Sequence, residues 1–501
     1  MIDMLKKIIY ASVLCIASMF APVGFLRAQT PQERYEAFRR QARQQYEDFR
    51  SKANQQYADF VKQTWQRFHA NEPIPDPFEK PVPPVVCPEE DRQKERKDEK
   101  RPYEEIVVVE PPRPQPQPVE PVKPVVPPTP RQETIGTTFY GTRIQCTVAS
   151  KPQFALKGVD EEAIAETWQT LSSGQCDELL GQCLELRSRY KLNDWGYIQL
   201  LDQLAQQCCS LSNDVTLLMA WLYCQSGYRM RLGREGNRLY MLYASTNIIY
   251  RTNFFTIENE KFYPYKCERL ESVCICGAYF PKEQSMTLEM HSEPQLTYRS
   301  SDKRMLQSER YADVKVSTSV NQNLIDFYNH YPTGSTNKDF GTRWAMYANT
   351  PLSHGTRAIV YPQLQNLLAG KDKLQAAEEL LNWVQTAFVY EYDDTVWGYD
   401  RAFFAEETFF YPYADCEDRS ILFSRLTRDL LDLDVVLLYY PGHLATAVRF
   451  ESERPRGDFL SLPDGDYYIA DPTYIGAPIG LTMPEMKDKP VKVIELQHQS
   501  H

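Results

Sequence analysis

Apolar residues follow regular spacings over most of the chain after residue 134, and the spacing distinguishes helices from strands. Breaks near Gly277, Pro294 and the polar run from Ser300 to Arg304 divide this region into two globular units, 134–300 and 301–501. Helical spacing is found at Glu161 to Leu171, Cys176 to Tyr190, Tyr197 to Cys208 and Leu374 to Phe388. Phe139 to Ile144 has the alternation of a strand. Both units are therefore predicted to be α+β.

A different pattern precedes this region, because aromatic residues recur every eleven positions in the segment 29–70. The stripe comprises Tyr35, Phe38, Ala42, Tyr46, Phe49, Ala53, Tyr57, Phe60, Thr64 and Phe68. Eleven residues fill three helical turns, so the spacing predicts a helical stalk with one aromatic face. Such a face can pack on its own domain or on another copy of the chain, which implies self-association, or it can anchor the protein to a surface or partner.

The segment 71–133 has the composition of a linker. Pro73 to Pro130 holds about half of the 35 prolines, and a charged run from Glu89 to Arg101 lies between them. Such a segment is too polar to fold alone. It is predicted to be semi-rigid and sensitive to proteases.

The first 28 residues resemble a cleaved export signal. Lys6 and Lys7 precede an apolar run that is broken by Pro22, and a small-residue position at Ala28 follows. A membrane anchor is the alternative, but the unbroken run is shorter than a spanning helix requires. The mature chain is therefore expected to lack a transmembrane span and to be periplasmic, at the cell surface or extracellular.

Net charge and cysteine content indicate which partners and cofactors the protein is expected to have. The net charge of −11 lacks the basic field that nucleic-acid binding requires, so nucleic acid is not an expected partner. Removal of the signal with Cys15 leaves eleven cysteines, an odd number, so at least one thiol stays unpaired within a monomer. Cys267, Cys274 and Cys276 could suggest a metal clip, but buried thiols or disulfides fit the spacing better. No metal or organic cofactor is expected.

The candidate nucleophile is Cys416. Asp415 can cap a helix whose first residues are Cys416, Glu417 and Asp418. The positive end of a helix dipole favours a thiolate. The neighbouring carboxylates oppose that effect, so this cysteine needs a base.

A base and an orienting carboxylate follow along the chain. His443 begins an alternating segment after the Pro441-Gly442 turn, and Asp471 ends the strand that begins at Tyr467. A thiol, an imidazole and a carboxylate are the groups that nucleophilic acyl transfer requires. Each residue alone has a structural explanation, and His354 is a competing histidine.

These segments resemble the core of the transglutaminase-like superfamily. The resemblance rests on Asp-Cys-Glu-Asp-Arg-Ser at 415–420, Gly-His-Leu-Ala-Thr-Ala-Val at 442–448 and Tyr-Tyr-Ile-Ala-Asp-Pro-Thr-Tyr at 467–474, and it covers about residues 374 to 480. It implies a papain-like α+β fold with an antiparallel sheet and a nucleophile helix, in an exported bacterial-type multidomain protein. The catalytic triad it implies is Cys416, His443 and Asp471. Tyr413 and Trp397 are the nearest upstream oxyanion candidates.

The middle unit, 134–300, can be aligned with this core as a degenerate copy. Ser212 then falls at the position of Cys416, and Arg238 falls within one residue of the position of His443. Glu260 to Pro264 offers no counterpart of Asp471. Two unrelated helix and strand segments remain the alternative interpretation.

Two functions follow from these patterns. The first is an exported thiol enzyme that acts on peptide or amide bonds through an acyl-thioester, as a cysteine peptidase or amidase or as a protein-glutamine acyltransferase. Hydrolysis is favoured, because water is abundant outside the cell and no calcium loop or dedicated amine site is evident. The second is a non-catalytic surface protein that binds a partner through the same fold.

Overall fold

The computed structural model describes residues 31–76, 80–109, 132–267, 269–336, 339–452 and 454–497. Helices and strands are mixed along the chain, so the protein is α+β, as predicted. The predicted signal, residues 1–28, lies outside the described residues. Within the described ranges, no helix is both long enough and apolar enough to cross a bilayer.

The described residues form 13 helices and 21 strands. The helices are α1 (Pro31–Val61), α2 (Glu89–Gln93), α3 (Glu161–Leu171), α4 (Asp177–Arg189), α5 (Asp194–Cys208), α6 (Ser212–Gln225), α7 (Gln322–Tyr328), α8 (Thr342–Asn349), α9 (His354–Leu368), α10 (Lys373–Thr386), α11 (Asp393–Val396), α12 (Ala405–Phe410) and α13 (Cys416–Leu431). The strands are β1 (Trp65–His69), β2 (Val85–Val86), β3 (Glu99–Lys100), β4 (Glu105–Val107), β5 (Glu133–Phe139), β6 (Thr142–Val148), β7 (Met230–Glu235), β8 (Arg238–Ala244), β9 (Ile248–Ile249), β10 (Phe255–Ile257), β11 (Glu260–Pro264), β12 (Ser272–Cys276), β13 (Arg304–Gln307), β14 (Lys315–Thr318), β15 (Gly334–Ser335), β16 (Val435–Tyr440), β17 (His443–Arg449), β18 (Asp458–Leu462), β19 (Gly465–Ala470), β20 (Tyr474–Ile475) and β21 (Lys492–Ile494).

The N-terminal helix ends earlier than the aromatic spacing suggested. Residues up to Ala53 form one compact unit, and the chain from Asn54 onward forms the other. After Val61 the chain leaves the helix, and Trp65–His69 pairs with β12 as an antiparallel strand. Phe68 therefore packs on the core of a sheet and does not extend a helical stripe.

A six-stranded antiparallel sheet organises the middle of the chain, in the order β1-β12-β7-β8-β11-β10. Helix α6 packs against β7 and β8 on one face. The segment expected as a strand, Phe139 to Ile144, is instead a hairpin between β5 and β6. Tyr140 and Gly141 both have positive φ there, which turns the chain.

The C-terminal sheet has seven strands in the order β3-β18-β19-β17-β16-β21-β4. Its core is continuous and apolar, and it includes Leu438, Ala447, Leu460, Ile469 and Val493. Helix α13 lies against β16 and β17, so the start of this helix meets the start of β17. This meeting point carries the candidate site.

Residues 80–107 pair with strands of the C-terminal half, although their composition predicted a linker: β3 and β4 form the two edges of the seven-stranded sheet, and β2 forms a separate two-stranded sheet with β20. Strands β2, β3 and β4 pair in parallel with β20, β18 and β21. Cys87 is buried in the same core. We call residues 80–107 the strap. Backbone hydrogen bonds and apolar anchors order it despite its proline content, whereas residues 110–131 of the predicted linker lie outside the described residues.

The hairpin of β16 and β17 fixes where the strap crosses the C-terminal sheet. Gly442 has a φ of 76°, and a Cβ built on it would lie 2.4 Å from the carbonyl oxygen of Lys80. The backbone N–H of Val82 donates to the carbonyl oxygen of Gly442 at 2.9 Å. Only glycine combines this backbone conformation with such a close approach.

Candidate active site

Cys416 is the first residue of α13. Asp415 caps the helix by accepting hydrogen bonds from the backbone N–H groups of Glu417 and Asp418, at 3.0 and 3.2 Å. The Asp418 carboxylate accepts from the backbone N–H of Asp415 in return. This reciprocal cap confirms the predicted helix start and fixes the Cys416 backbone.

The surroundings of the Cys416 thiol oppose its ionisation. Burial raises its pKa well above the ordinary value, and Asp415 and Glu417 raise it further. A hydrogen bond from the backbone N–H of Leu444 lowers the pKa but does not reverse the shift. The resting side chain is therefore a neutral thiol, and the helix dipole alone does not produce a thiolate.

His443 and Asp471 form a buried pair. Nε2 of His443 lies 2.8 Å from Oδ2 of Asp471. The other carboxylate oxygen, Oδ1, accepts from the backbone N–H groups of Thr473 and Tyr474 at 2.8 and 3.2 Å. The carboxylate is therefore held from both sides and fixes a proton on Nε2. Nδ1 is buried, has no hydrogen-bond partner among the described residues and can accept a proton.

Cys416 and His443 line the same small cavity. Its volume is about 50 Å³, and Asp415, Tyr439 and Leu444 also contribute to its wall. Leu444 follows His443 directly and donates to the Cys416 sulfur. The geometry thus brings together the three residues that the sequence selected, with the thiol beside the strand that carries the imidazole.

Pro81 of the strap lines this cavity as well. The next residue, Val82, donates its backbone N–H to the carbonyl oxygen of Gly442, in the turn that precedes His443. No local pattern pointed to Pro81, since its partners lie more than 300 positions away in the chain.

A second layer of buried polar side chains holds these elements in register. Gln385 donates to the carbonyl oxygens of Asp471, Tyr474 and Ala477, at 2.9, 2.9 and 3.1 Å. The hydroxyl of Ser420 donates to the carbonyl oxygen of Leu444 at 2.9 Å and ties α13 to β17. These contacts position the loop after Asp471 and the strand beside Cys416.

Arg419 fixes the chain that enters the helix. It donates to the carbonyl oxygens of Ala414, Gln385 and Phe388, at distances of 3.2, 2.8 and 2.7 Å. Burial lowers the pKa of Arg419 to about 10. The guanidinium is still a cation at neutral pH, so it partly balances the carboxylates at the start of α13.

Three carboxylates approach one another beside Cys416, and two of them, Asp400 and Glu417, line the same cavity. Oxygen atoms of Asp393, Asp400 and Glu417 lie within 4.8 Å of one another, a spacing that a metal ion could bridge. The Arg343 guanidinium forms ion pairs with two of these carboxylates, at 2.5 Å from Asp400 and 2.9 Å from Glu417. The guanidinium therefore supplies the charge that a cation would otherwise bring.

The two oxyanion candidates, Trp397 and Tyr413, lie upstream of Cys416 in the sequence. The Trp397 and Tyr413 rings are 6.4 Å apart, and the Trp397 Nε1 atom is buried without a hydrogen-bond partner in the described part of the chain. Neither residue lines the cavity at Cys416.

Tyr390 is a donor that sequence reasoning missed. Its hydroxyl is buried and finds no partner within the described ranges. Burial raises its pKa, and interactions with Cys416 and Asp415 raise the pKa further. The bridge between Val389 and Tyr413 brings Tyr390 to this position, and this pairing has no local signature in the sequence.

The competing histidine and the other cysteines lie elsewhere. His354 begins α9, and its backbone N–H contacts Glu293. Cys416 carries a free thiol and is not held in a disulfide. No protein-family model, curated protein or solved structure matches this chain.

Proposed function

We propose that the protein is a thiol enzyme of transglutaminase-like type that attacks peptide or amide carbonyl groups with Cys416. The observation that carries the proposal is the geometry of one cavity. The thiol at the start of α13 shares that cavity with His443, whose Nε2 is held by Asp471 and whose Nδ1 is free to take a proton.

The raised pKa of Cys416 determines the order of events. A neutral thiol must lose its proton as it attacks, so His443 Nδ1 removes the proton while the sulfur bonds to the carbonyl carbon. The imidazolium formed is stabilised by Asp471 and then protonates the departing amine. The product of this half-reaction is an acyl-thioester on Cys416.

Water completes the cycle in the hydrolytic reading. His443 removes a proton from the water molecule, the hydroxyl oxygen bonds to the acyl carbon, and the Cys416 thiol leaves with the proton returned by His443. In the acyltransferase reading a primary amine replaces water. Hydrolysis is the favoured outcome for an exported protein, because water exceeds any amine in that compartment.

A papain-like fold for the C-terminal half is part of the same proposal, and the α+β arrangement there supports it. An antiparallel sheet with a nucleophile helix against its central strands would make residues 301–497, together with the strap, the catalytic domain. Tyr390 is a further candidate donor to the oxyanion, because its buried hydroxyl has no hydrogen-bond partner in the described part of the chain. Trp397 and Tyr413 are the alternatives.

A non-catalytic binding protein is the second candidate. The observation in its favour is the strong resistance of Cys416 to ionisation, since a purely structural buried cysteine behaves in the same way.

One experiment separates the two. Residues 29–501 are incubated with a peptide library under reducing conditions, with and without a primary amine, and the products are read by mass spectrometry. The enzyme proposal expects cleaved or amine-linked peptides that Cys416→Ala eliminates. Cys274→Ala, which removes a thiol from the middle sheet, serves as the control. Equal product from Cys416→Ala, or no product from any peptide, would favour the binding protein.

A further inference from the structure

The middle sheet repeats the strand arrangement of the C-terminal sheet. Strands β12, β7, β8, β11 and β10 occupy the places that β21, β16, β17, β19 and β18 occupy in the other sheet. The hairpins also match in register. In the hairpin of β7 and β8, the residue pair next to the turn is Glu235 with Arg238. In the hairpin of β16 and β17, the corresponding pair is Tyr440 with His443.

The two hairpins of each sheet match with one shift of 205 positions. In the first hairpin, Arg238 lies 205 residues before His443. In the second hairpin, Ile257 lies 205 residues before Leu462, and each of these two residues is the last of its strand before the turn. Helix α6 begins at Ser212, 204 positions before α13 begins at Cys416, so the helix starts agree with the hairpin shift to within one residue. The first hairpin, the second hairpin and the helix therefore correspond.

This register identifies a counterpart of Asp471 that the sequence did not reveal. Asp471 directly follows β19, and continuing the β17 to β19 register places it opposite Ala445. Continuing the β8 to β11 register places Lys266 opposite Tyr240, the counterpart of Ala445. The positions of the thiol, imidazole and carboxylate are thus held by Ser212, Arg238 and Lys266.

These three residues line one cavity. Its volume is about 250 Å³, against about 50 Å³ for the cavity at Cys416. Its wall is largely apolar and aromatic, and it includes Val215, Met219, Leu239, Met241, Tyr240 and Tyr265. A cavity of this size and character accommodates a group as large as an amino-acid residue.

The charge of the cavity is positive. Lys266 is paired with the buried carboxylate of Asp202. Arg238 lies over the Tyr240 ring at 5.1 Å, and no ion pair joins it to a carboxylate in the described part of the chain. Two cations therefore face one anion, and the exposed guanidinium can form a bidentate contact with an incoming carboxylate.

We propose that this cavity binds the side-chain carboxylate of an acidic peptide. Arg238 pairs with the carboxylate, the Ser212 hydroxyl donates to it, and the apolar wall covers the methylene groups. A serine without a base and an arginine in place of histidine cannot carry out the acyl transfer proposed for the C-terminal sheet, so the site binds without reacting. The inference does not depend on Cys416.

The test uses the full mature chain carrying Cys416→Ala, so that no probe is consumed. The probes are N-acetyl-L-glutamic acid N-methylamide and its neutral isostere, N-acetyl-L-glutamine N-methylamide. Saturation-transfer NMR measures their binding. The expected result is saturable binding of the glutamate probe, at least roughly tenfold tighter than the glutamine probe, because a charged hydrogen bond is lost with the carboxylate.

Two variants assign the binding to the cavity. Arg238→Gln removes the cation from an exposed position, and Ser212→Glu adds a repelling charge at a helix start that tolerates acidic residues. Each should weaken the glutamate probe by roughly tenfold or more, while Arg454→Gln, a similarly exposed arginine elsewhere, leaves it unchanged. Equal binding of both probes, no saturable binding, or full retention by Arg238→Gln and Ser212→Glu would overturn the proposal. Unchanged thermal unfolding shows that each variant is folded.

Discussion

Nε2 of His443 lies 2.8 Å from Oδ2 of Asp471, and both side chains are buried. This contact fixes which imidazole nitrogen carries the proton and leaves Nδ1 toward the cavity that Cys416 lines. The contact therefore determines the direction of proton transfer in the proposed reaction.

We expect Asp471→Asn to reduce kcat by about 10² to 10⁴, because an amide no longer stabilises the imidazolium or enforces its tautomer. His443→Ala should reduce kcat by at least the same factor. The double variant should be no slower than His443→Ala alone, since the residues act as one unit. Steady-state kinetics on a peptide selected by the library experiment provide the measurement. Additive losses, or an equal loss in the exposed control Asp464→Asn, would contradict the pairing.

The raised pKa of Cys416 predicts slow alkylation of the resting protein. Iodoacetamide should modify Cys416 more slowly than it modifies glutathione at pH 7, and the rate should keep rising above pH 9 as the thiol ionises. Mass spectrometry of tryptic peptides follows the modification. A peptidyl electrophile that engages His443 should react faster than iodoacetamide, and His443→Ala should remove only that advantage. Rapid iodoacetamide labelling at pH 6 would show that the thiolate is already present.

The approach of the strap to Gly442 predicts a specific cost for a methyl group. Gly442→Ala should lower stability by about 1 to 3 kcal/mol through backbone strain and collision with the Lys80 carbonyl, and it should also alter activity by displacing Pro81. Gly236→Ala is the matched control, because Gly236 also has positive φ but has no atom within 4 Å of a built Cβ. Thermal unfolding and kcat are measured for both. Equal effects would mean that the strap contact contributes nothing.

Buried carboxyl groups near the site predict that stability falls as pH rises. Burial raises the pKa of Glu407 to about 7, against an ordinary value of 4.5, although Arg401 lowers it. Below pH 4.5 this contribution to stability is fully present, and it is lost as pH rises through about 7. The pKa values of Asp393 and Glu406 are also raised by burial, so their effects have the same sign.

Urea unfolding at pH 5, 6, 7 and 8 checks this expectation. The free energy of unfolding should fall over this range, by roughly 3 kcal/mol for Glu407 alone at the upper limit. Glu407→Gln should flatten the profile, because the amide does not titrate. Glu485→Gln, a change at an exposed position, should not. A stability that increases from pH 5 to 8 would contradict the direction of these pKa shifts.

Local pattern was sufficient for the elements that carry the candidate triad. The helix start at Cys416, the strands Val435–Tyr440 and His443–Arg449, and the strand end before Asp471 all follow the apolar periodicity and the turn residues. These are short-range properties, which a single sequence records well.

The features that depend on distant pairing were not accessible in this way. Val85 pairs with Tyr474, and proline-rich composition concealed that strand. Lys266 became the counterpart of Asp471 only once the register of β8 and β11 was known. Tyr390 is positioned by a bridge between Val389 and Tyr413, which pairs the chain around it with the segment that leads to Cys416. In each case the partner is chosen by tertiary packing, which local propensity does not encode.

The pairing of the strap with the C-terminal half affects how the chain folds during synthesis and which fragments can be expressed alone. Trp65–His69 pairs in the middle sheet and the strap pairs in the C-terminal half, but the other strands of both sheets come later in the sequence. During synthesis, Val85 must therefore wait for Tyr474 to leave the ribosome. A fragment that starts at residue 301 would expose the bare edges of β18, β20 and β21, a known route to aggregation. Expression of the C-terminal half alone should require residues 80–109 supplied as a fused or separate peptide.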